Sequence, residues 1–154
     1  MSAGSRLNPG PDRVKRVATA LGSPGVHEKR VEIRWHDVDA YDHVNNAVYL
    51  TYLEECRDEW LEHAFGNDPG TWDFVIARIA IDFRRELRLD DDTVLVRCRL
   101  ARIGTSSVTT QEEIRTNGGE LAAEAEAVLV ARDPETVRSR ALRPEERSAL
   151  ERAG

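Results

Sequence analysis

The chain lacks most of what would place it in a specialised class. Its 154 residues hold two cysteines, Cys56 and Cys98, which form neither a CxxC pair nor a dense disulfide framework. That spacing excludes a disulfide-stapled scaffold and makes a reducing cytoplasm the expected setting. No apolar run approaches the roughly 18 residues that a membrane-spanning helix needs. Residues 1–27 contain no apolar core of the secretory type, ATALG being too short to act as one. There is no G-x-S-x-G elbow to announce a serine hydrolase. Lysine is scarce, Lys15 and Lys29 alone, so the 22 basic residues are almost all arginine. The net charge of -6 advertises neither a nucleic acid nor an anionic membrane as partner. What remains is 32% charged and 40% hydrophobic, the composition of one ordinary globular domain with a single core.

The periodicity changes once along the chain. From Arg30 to His36, Val31, Ile33 and Trp35 alternate with polar residues, as in a half-buried strand. From Asn46 the apolar residues Tyr49, Tyr52, Leu53, Cys56 and Trp60 recur at helical spacing, with Glu54, Glu55, Asp58, Glu59 and Glu62 on the other side. Asn45 is placed to cap this helix, Val44 to staple against Tyr49, and Gly66 to close it, with NDPGTW as loop. Four strand-like runs follow: 74–86, 93–103, 107–115 and 121–132, the last two joined by TNGG, a hairpin signal. Short connections predict that these four form an antiparallel meander. The expectation is an α+β domain at 28–133, one long helix on a five-stranded antiparallel sheet. Residues 1–27 are expected to be a disordered tail, with one helical turn near Val14–Leu21. Residues 134–154 read as a polar extension in which RPEERSALERA forms a short helix. With a single covering helix, the sheet or its edges need another cover, and homo-oligomerisation supplies it.

The densest chemistry lies in His36–Asn46, HDVDAYDHVNN. A calcium loop starting at Asp37 would need Gly at 42 and Glu at 48, where Asp42 and Val48 stand. A divalent metal on His36, Asp37, Asp39 and His43 lacks a second His/Cys cluster to complete its shell, since His27 and His63 lie elsewhere. A solvated loop that turns the chain and caps the helix accounts for Asp37 and Asp42 without any chemistry. That reading does not require the run of residues after Asp39.

The run DVDAYDHVNNAVYLTYLEECRDEW resembles the signature of hotdog-fold acyl thioesterases, in the 4-hydroxybenzoyl-CoA thioesterase and YbgC-like branch. The resemblance implies the hotdog fold, with the strand order of Lys29–Arg132 similar to it. It implies hydrolysis of acyl-CoA or acyl-carrier-protein thioesters, with no cofactor and no metal. The second Asp of D-x-D, Asp39, would be the general base or nucleophile. The backbone N–H of Asn46, seven positions on, would polarise the thioester carbonyl. His43 and Asn45 match a segment that carries catalytic residues in plant acyl-carrier-protein thioesterases. Those enzymes have Asn two residues after the Asp; Tyr41 stands there in this chain, which favours a simpler carboxylate mechanism. Hotdog sites lie between protomers, so the resemblance also implies a homodimer or homotetramer.

Physical chemistry agrees with that assignment. A helix N-terminus offers unpaired N–H groups and the positive end of the macrodipole where a thioester oxygen gains charge. The phosphates of CoA call for a basic patch; the resemblance places it near the turn RIGTSS, which makes Arg102, Ser106 and Ser107 candidates, with Arg84 or Arg85 behind them. The alternative for each arginine is an ordinary cross-strand ion pair. Tyr49 and Tyr52 read as core and pocket wall, and Arg57, Glu55 and Glu59 as an ion-pair face of the helix, with Glu55 within reach of the acyl pocket. Three rival functions fit the same fold. They are a non-catalytic acyl- or CoA-binding domain, a hydratase or dehydratase using His43 with a carboxylate, and a pure assembly module.

Overall fold

A computed structural model describes residues 25–66 and 73–154. The expected tail up to residue 24, with its helical turn, and the NDPGTW loop lie outside the described residues. Five strands, β1 (Val26–Glu32), β2 (Phe74–Phe83), β3 (Thr93–Ile103), β4 (Ser107–Thr116) and β5 (Leu121–Ala131), form one antiparallel sheet. Helix α1 (Asn46–Phe65) lies across one face, and α2 (Pro144–Ala153) packs beside it. This is the α+β hotdog architecture expected from the sequence.

The strand order is β1-β3-β4-β5-β2. Only β3, β4 and β5 form the expected meander. β2 sits at the far edge against β5, so the four-strand meander is corrected. The reason is the nine-residue connection 84–92. Expected to make a tight turn at LDDDT, it instead crosses the end of the sheet beneath the start of α1, burying Leu87 on the way. The Val44 N–H donates to the Leu87 carbonyl at 2.7 Å, which fixes this crossing to the helix entrance.

The first strand also differs: it spans Val26–Glu32 rather than Arg30–His36. Val31 and Ile33 point into the core as their alternation requires. The chain then turns through a single 3-10 turn at Trp35–Asp37, because the Asp37 carboxylate accepts the Arg34 N–H at 2.9 Å and pulls the backbone out of the sheet. Trp35 is left 73% exposed instead of inward-facing.

Helix α1 begins and ends as its residues dictate. The Asn45 side chain accepts the Ala47 N–H at 2.9 Å, and Gly66 closes the helix with φ 83°. Its buried stripe is Tyr49, Tyr52, Leu53, Cys56, Arg57, Trp60 and Leu61. That stripe meets Val94, Val96 and Cys98 of β3, Ile114 of β4 and the small alanines of β5 in one core. The terminal helix α2 adds Leu150, fully buried, to the same core. Among the described residues, no helix is long and apolar enough to cross a membrane.

Candidate active site

Residues 37–45 form a miniature hairpin that ends in the N-cap of α1. Val38 and Val44 pair across it, the Asp39 N–H donates to the His43 carbonyl at 3.0 Å, and the Asn45 N–H donates to the Asp37 carbonyl at 2.9 Å. Its tip is a three-residue loop in which the Asp42 N–H donates to the Asp39 carbonyl at 3.1 Å and Asp42 adopts φ 65°. A type I turn followed by a left-handed residue is a common way to close such a loop, and Asp tolerates that conformation better than most residues.

This hairpin presents Asp39 to the mouth of α1. One carboxylate oxygen accepts the Tyr41 N–H at 2.9 Å, and the other faces the Asn45 side-chain amide at 3.4 Å. The His43 Nδ1 lies 3.9 Å from the first oxygen, and its ring stacks on Tyr41. The carboxylate is partly exposed, at 23%. It is neither sealed in the core nor free in solvent. In the first turn of α1, Ala47 is satisfied by the Asn45 cap and Val48 by the Asn45 carbonyl. Among the described residues the Asn46 N–H has no acceptor, as the first amide of a helix generally does not. Asn46 and His43 line a groove of about 220 Å³ with Val44, Tyr49, Phe83, Arg84, Arg85 and Glu86. Asp39 does not line that groove and meets α1 through the Asn45 cap. An unpaired N–H at the positive end of a helix can hold an oxygen that gains negative charge, and a carboxylate at the cap can take up a proton.

The other candidates are placed unequally. Tyr49 is buried beneath the groove, and its hydroxyl accepts the Leu87 N–H at 3.0 Å and donates to the Arg85 carbonyl at 3.3 Å. Arg84 borders the groove but is bound to Glu124. Arg85 bridges Asp91 and Glu120. Arg102, Ser106 and Ser107 lie at the opposite end of β3 and β4, roughly 30 Å along an eleven-residue strand. Within one protomer they do not approach Asp39. Among the described residues no three His, Cys, Asp or Glu side chains converge as a metal-binding set.

Three residues depart from the sequence expectation. Asp37, expected in a solvated loop, is 4% exposed and accepts the Tyr52 hydroxyl at 2.6 Å. Burial alone would raise its pKa; the bonds from Tyr52 and Arg34 outweigh this and hold it below the ordinary carboxylate value. Tyr52 is raised by burial and by Asp37. Arg57 leaves the expected surface ion-pair face: it is buried and forks onto Glu112 of β4 at 2.8 and 3.0 Å. Glu55, expected within reach of the acyl pocket, borders a separate groove with Lys29, Glu59 and His63. Helical period distinguishes a buried from an exposed side of α1, but it does not announce that a charged residue will sit on the buried one.

Comparison with known proteins adds the family. The profile of the thioesterase-like superfamily matches residues 33–150, most of the described chain. The chain belongs to that superfamily. It is 32% identical over 131 residues to the long-chain acyl-CoA thioesterase FadM of Escherichia coli K12, covering 80% of this chain and 96% of that protein. It is 29% identical over 116 residues to the acyl-CoA thioester hydrolase YbgC of Escherichia coli, covering 73% and 86%. A thioesterase from Thermus thermophilus, solved with coenzyme A and Zn, superposes with a TM-score of 0.74 at 32% identity, covering 82% and 92%. The superfamily match includes the Asp39 hairpin, α1 and the first seven residues of α2.

Proposed function

We propose that this thioesterase hydrolyses acyl-CoA or acyl-carrier-protein thioesters at the mouth of α1, between the Asp39 carboxylate and the Asn46 N–H. The observation that carries this reading is the Asp39 hairpin, which holds a partly exposed carboxylate against the cap of a helix whose first amide is unpaired. The acyl-CoA specificity of FadM and YbgC, and the coenzyme A bound to the Thermus protein, support the choice of substrate.

In the general-base form, Asp39 accepts a proton from water as the water oxygen attacks the carbonyl carbon. The resulting oxyanion is held by the Asn46 N–H and the helix dipole. Collapse breaks the C–S bond, and the thiolate takes the proton back from Asp39, leaving free acid and thiol. In the nucleophilic form Asp39 attacks the carbonyl carbon and the C–S bond breaks, giving a mixed anhydride and a thiolate; water then opens the anhydride to free acid and the Asp39 carboxylate, and the proton it gives up ends on the thiolate. His43, lining the groove, orients the acyl carbonyl or the water. A preorganised donor of this kind contributes on the order of 10²–10³ in rate.

The active unit in this reading is at least a dimer. β2 is an edge strand with Val75, Ile76 and Phe83 exposed along it, an edge that needs a cover. Phe74 lies beside the β3–β4 turn end of the sheet, and Phe83 beside the Asp39 end. Antiparallel pairing of two β2 edges therefore sets the turn of one protomer, with Arg102, Ser106 and Ser107, next to the Asp39 end of the other. Those three residues would meet CoA phosphates across the interface.

The test is free-thiol release from a panel of acyl-CoA and aryl-CoA esters. Wild type should turn over at least one class, and Asp39→Asn should lose at least about 10² in kcat with an unchanged melting temperature. An Asp39→Asn variant of near wild-type activity sinks the mechanism. A folded wild type that binds CoA esters without releasing thiol would be the non-catalytic binding domain instead.

A further inference from the structure

The hairpin that carries Asp39 is joined to α1 at two points. One is the chain junction at Asn45–Asn46 with its cap, the Asn45 side chain accepting the Ala47 N–H. The other is a side-chain bond at the base of the hairpin, from the Tyr52 hydroxyl in the second turn of α1 to the buried Asp37 carboxylate at 2.6 Å. Asp37 is the place where the hairpin is held most tightly. Its carboxylate also accepts the Arg34 N–H at 2.9 Å, its own N–H donates to the Arg34 carbonyl at 2.9 Å, and its carbonyl accepts the Asn45 N–H. Tyr49, one turn earlier on the same helix, grips the opposite wall of the groove through Arg85 and Leu87.

A hairpin tied to a helix only at its junction and cap can pivot about them; one also tied through Asp37 on the facing strand cannot. We propose that Tyr52 and Asp37 act as a positioning clamp for the thioesterase reaction, fixing the angle between the Asp39 hairpin and α1 and hence the placement of the Asp39 carboxylate relative to the Asn46 N–H. Neither group touches substrate in this scheme. Both act through Asp39. The chemistry needs two separate elements, a hairpin tip and a helix end, to stay in register, and displacement of about 1 Å between reacting groups can cost as much as 10² in rate. The clamp is placed where a small rotation would do most harm, at the root of the lever whose tip holds the carboxylate. This inference rests on the function proposed above.

Tyr52→Phe removes one oxygen and keeps the ring in the core. Two readouts are taken on fully folded protein, beside Ile114→Val as a control core variant remote from the hairpin. The first is amide hydrogen exchange, which reports the clamp without reference to activity. Exchange over 37–46 should speed up in Tyr52→Phe and not in Ile114→Val. A uniform change along the chain, or none, overturns the clamp. The second is kinetics: kcat should fall about tenfold with KM held within about twofold, while Ile114→Val keeps wild-type kcat. Because Asp37 is the acceptor of the Tyr52 hydroxyl, Tyr52→Phe in an Asp37→Ala background, which has no acceptor left, should cost no further activity; additive losses overturn the proposal. If wild type hydrolyses no thioester, the proposed function fails, and the exchange experiment still decides whether the clamp exists. If wild type is active and Tyr52→Phe matches it, only the clamp fails.

Discussion

Arg57 and Glu112 carry opposite charges into the middle of the molecule, where both are almost fully buried. Arg57 makes two bonds to the carboxylate, and Thr110 supplies a third through its hydroxyl at 2.6 Å. Such a pair adds little net stability over an apolar pair of the same shape, yet removing one partner strands the other. Glu112→Ala should therefore cost about 3–5 kcal/mol in urea unfolding, and Arg57→Leu in the same background should recover much of it. Full additivity of the two losses would show that the charges do not depend on each other. The cysteines behave as small apolar residues here. Burial pushes the Cys56 thiol up to about 12 and Cys98 upward as well. Thiolates react and neutral thiols do not, so native protein should be silent to a thiol reagent until it unfolds. Rapid native labelling would contradict the buried placement, and silence leaves the thiol-release assay free of background.

At the scale of elements, the edge strand β1 is fastened to the last turns of α1 by a histidine pair. His63 and His27 approach at 3.3 Å, and Lys29 pairs with Glu59 at 3.0 Å beside them. Burial lowers the pKa of His27, as do His63 and Lys29, while Glu59 opposes them. A group with a depressed folded value binds fewer protons when folded. Its contribution is therefore complete above the unfolded value of 6.5 and is lost as pH falls from there through the folded value. The melting temperature should drop between about pH 7 and pH 5 in wild type and drop less in His27→Gln. An identical slope in both proteins would remove His27 from the account. The second helix has its own lock: Glu146 accepts both Arg140 terminal nitrogens, at 2.8 and 2.7 Å, and the Arg143 N–H at 2.8 Å. Burial works against the charged form, and these bonds overcome it to hold Glu146 below the usual carboxylate range. That stabilisation is present above 4.5 and fades in stronger acid.

For the whole molecule, the sheet has two edges and they differ. β1 is tied to α1 by Lys29–Glu59, whereas β2 exposes Val75, Ile76 and Phe83 beside a ladder that has no partner among the described residues. An uncovered apolar edge invites a second strand, and an identical β2 is the one always at hand. Wild type should sediment as a dimer or a multiple of one, and Ile76→Lys should shift it toward monomer and reduce thioester turnover. A fully active monomer would show that Arg102, Ser106 and Ser107 serve no partner's site.

The sequence alone specified the parts of this protein that depend on near neighbours. Asn45 caps the helix it was placed to cap, Gly66 ends it, β3 spans the predicted residues, and the D-x-D…HVNN run pointed to the thioesterase-like family. These features follow from local hydrogen bonding, φ preferences and a period of two or 3.6. Tertiary structure decided what needs distant residues to meet. It sent β2 to the far edge, since a nine-residue crossing and a turn look alike until the sheet is assembled. It buried Asp37 and Arg57, because a charged side chain is drawn into a core only where Tyr52 or Glu112 already waits there to bind it.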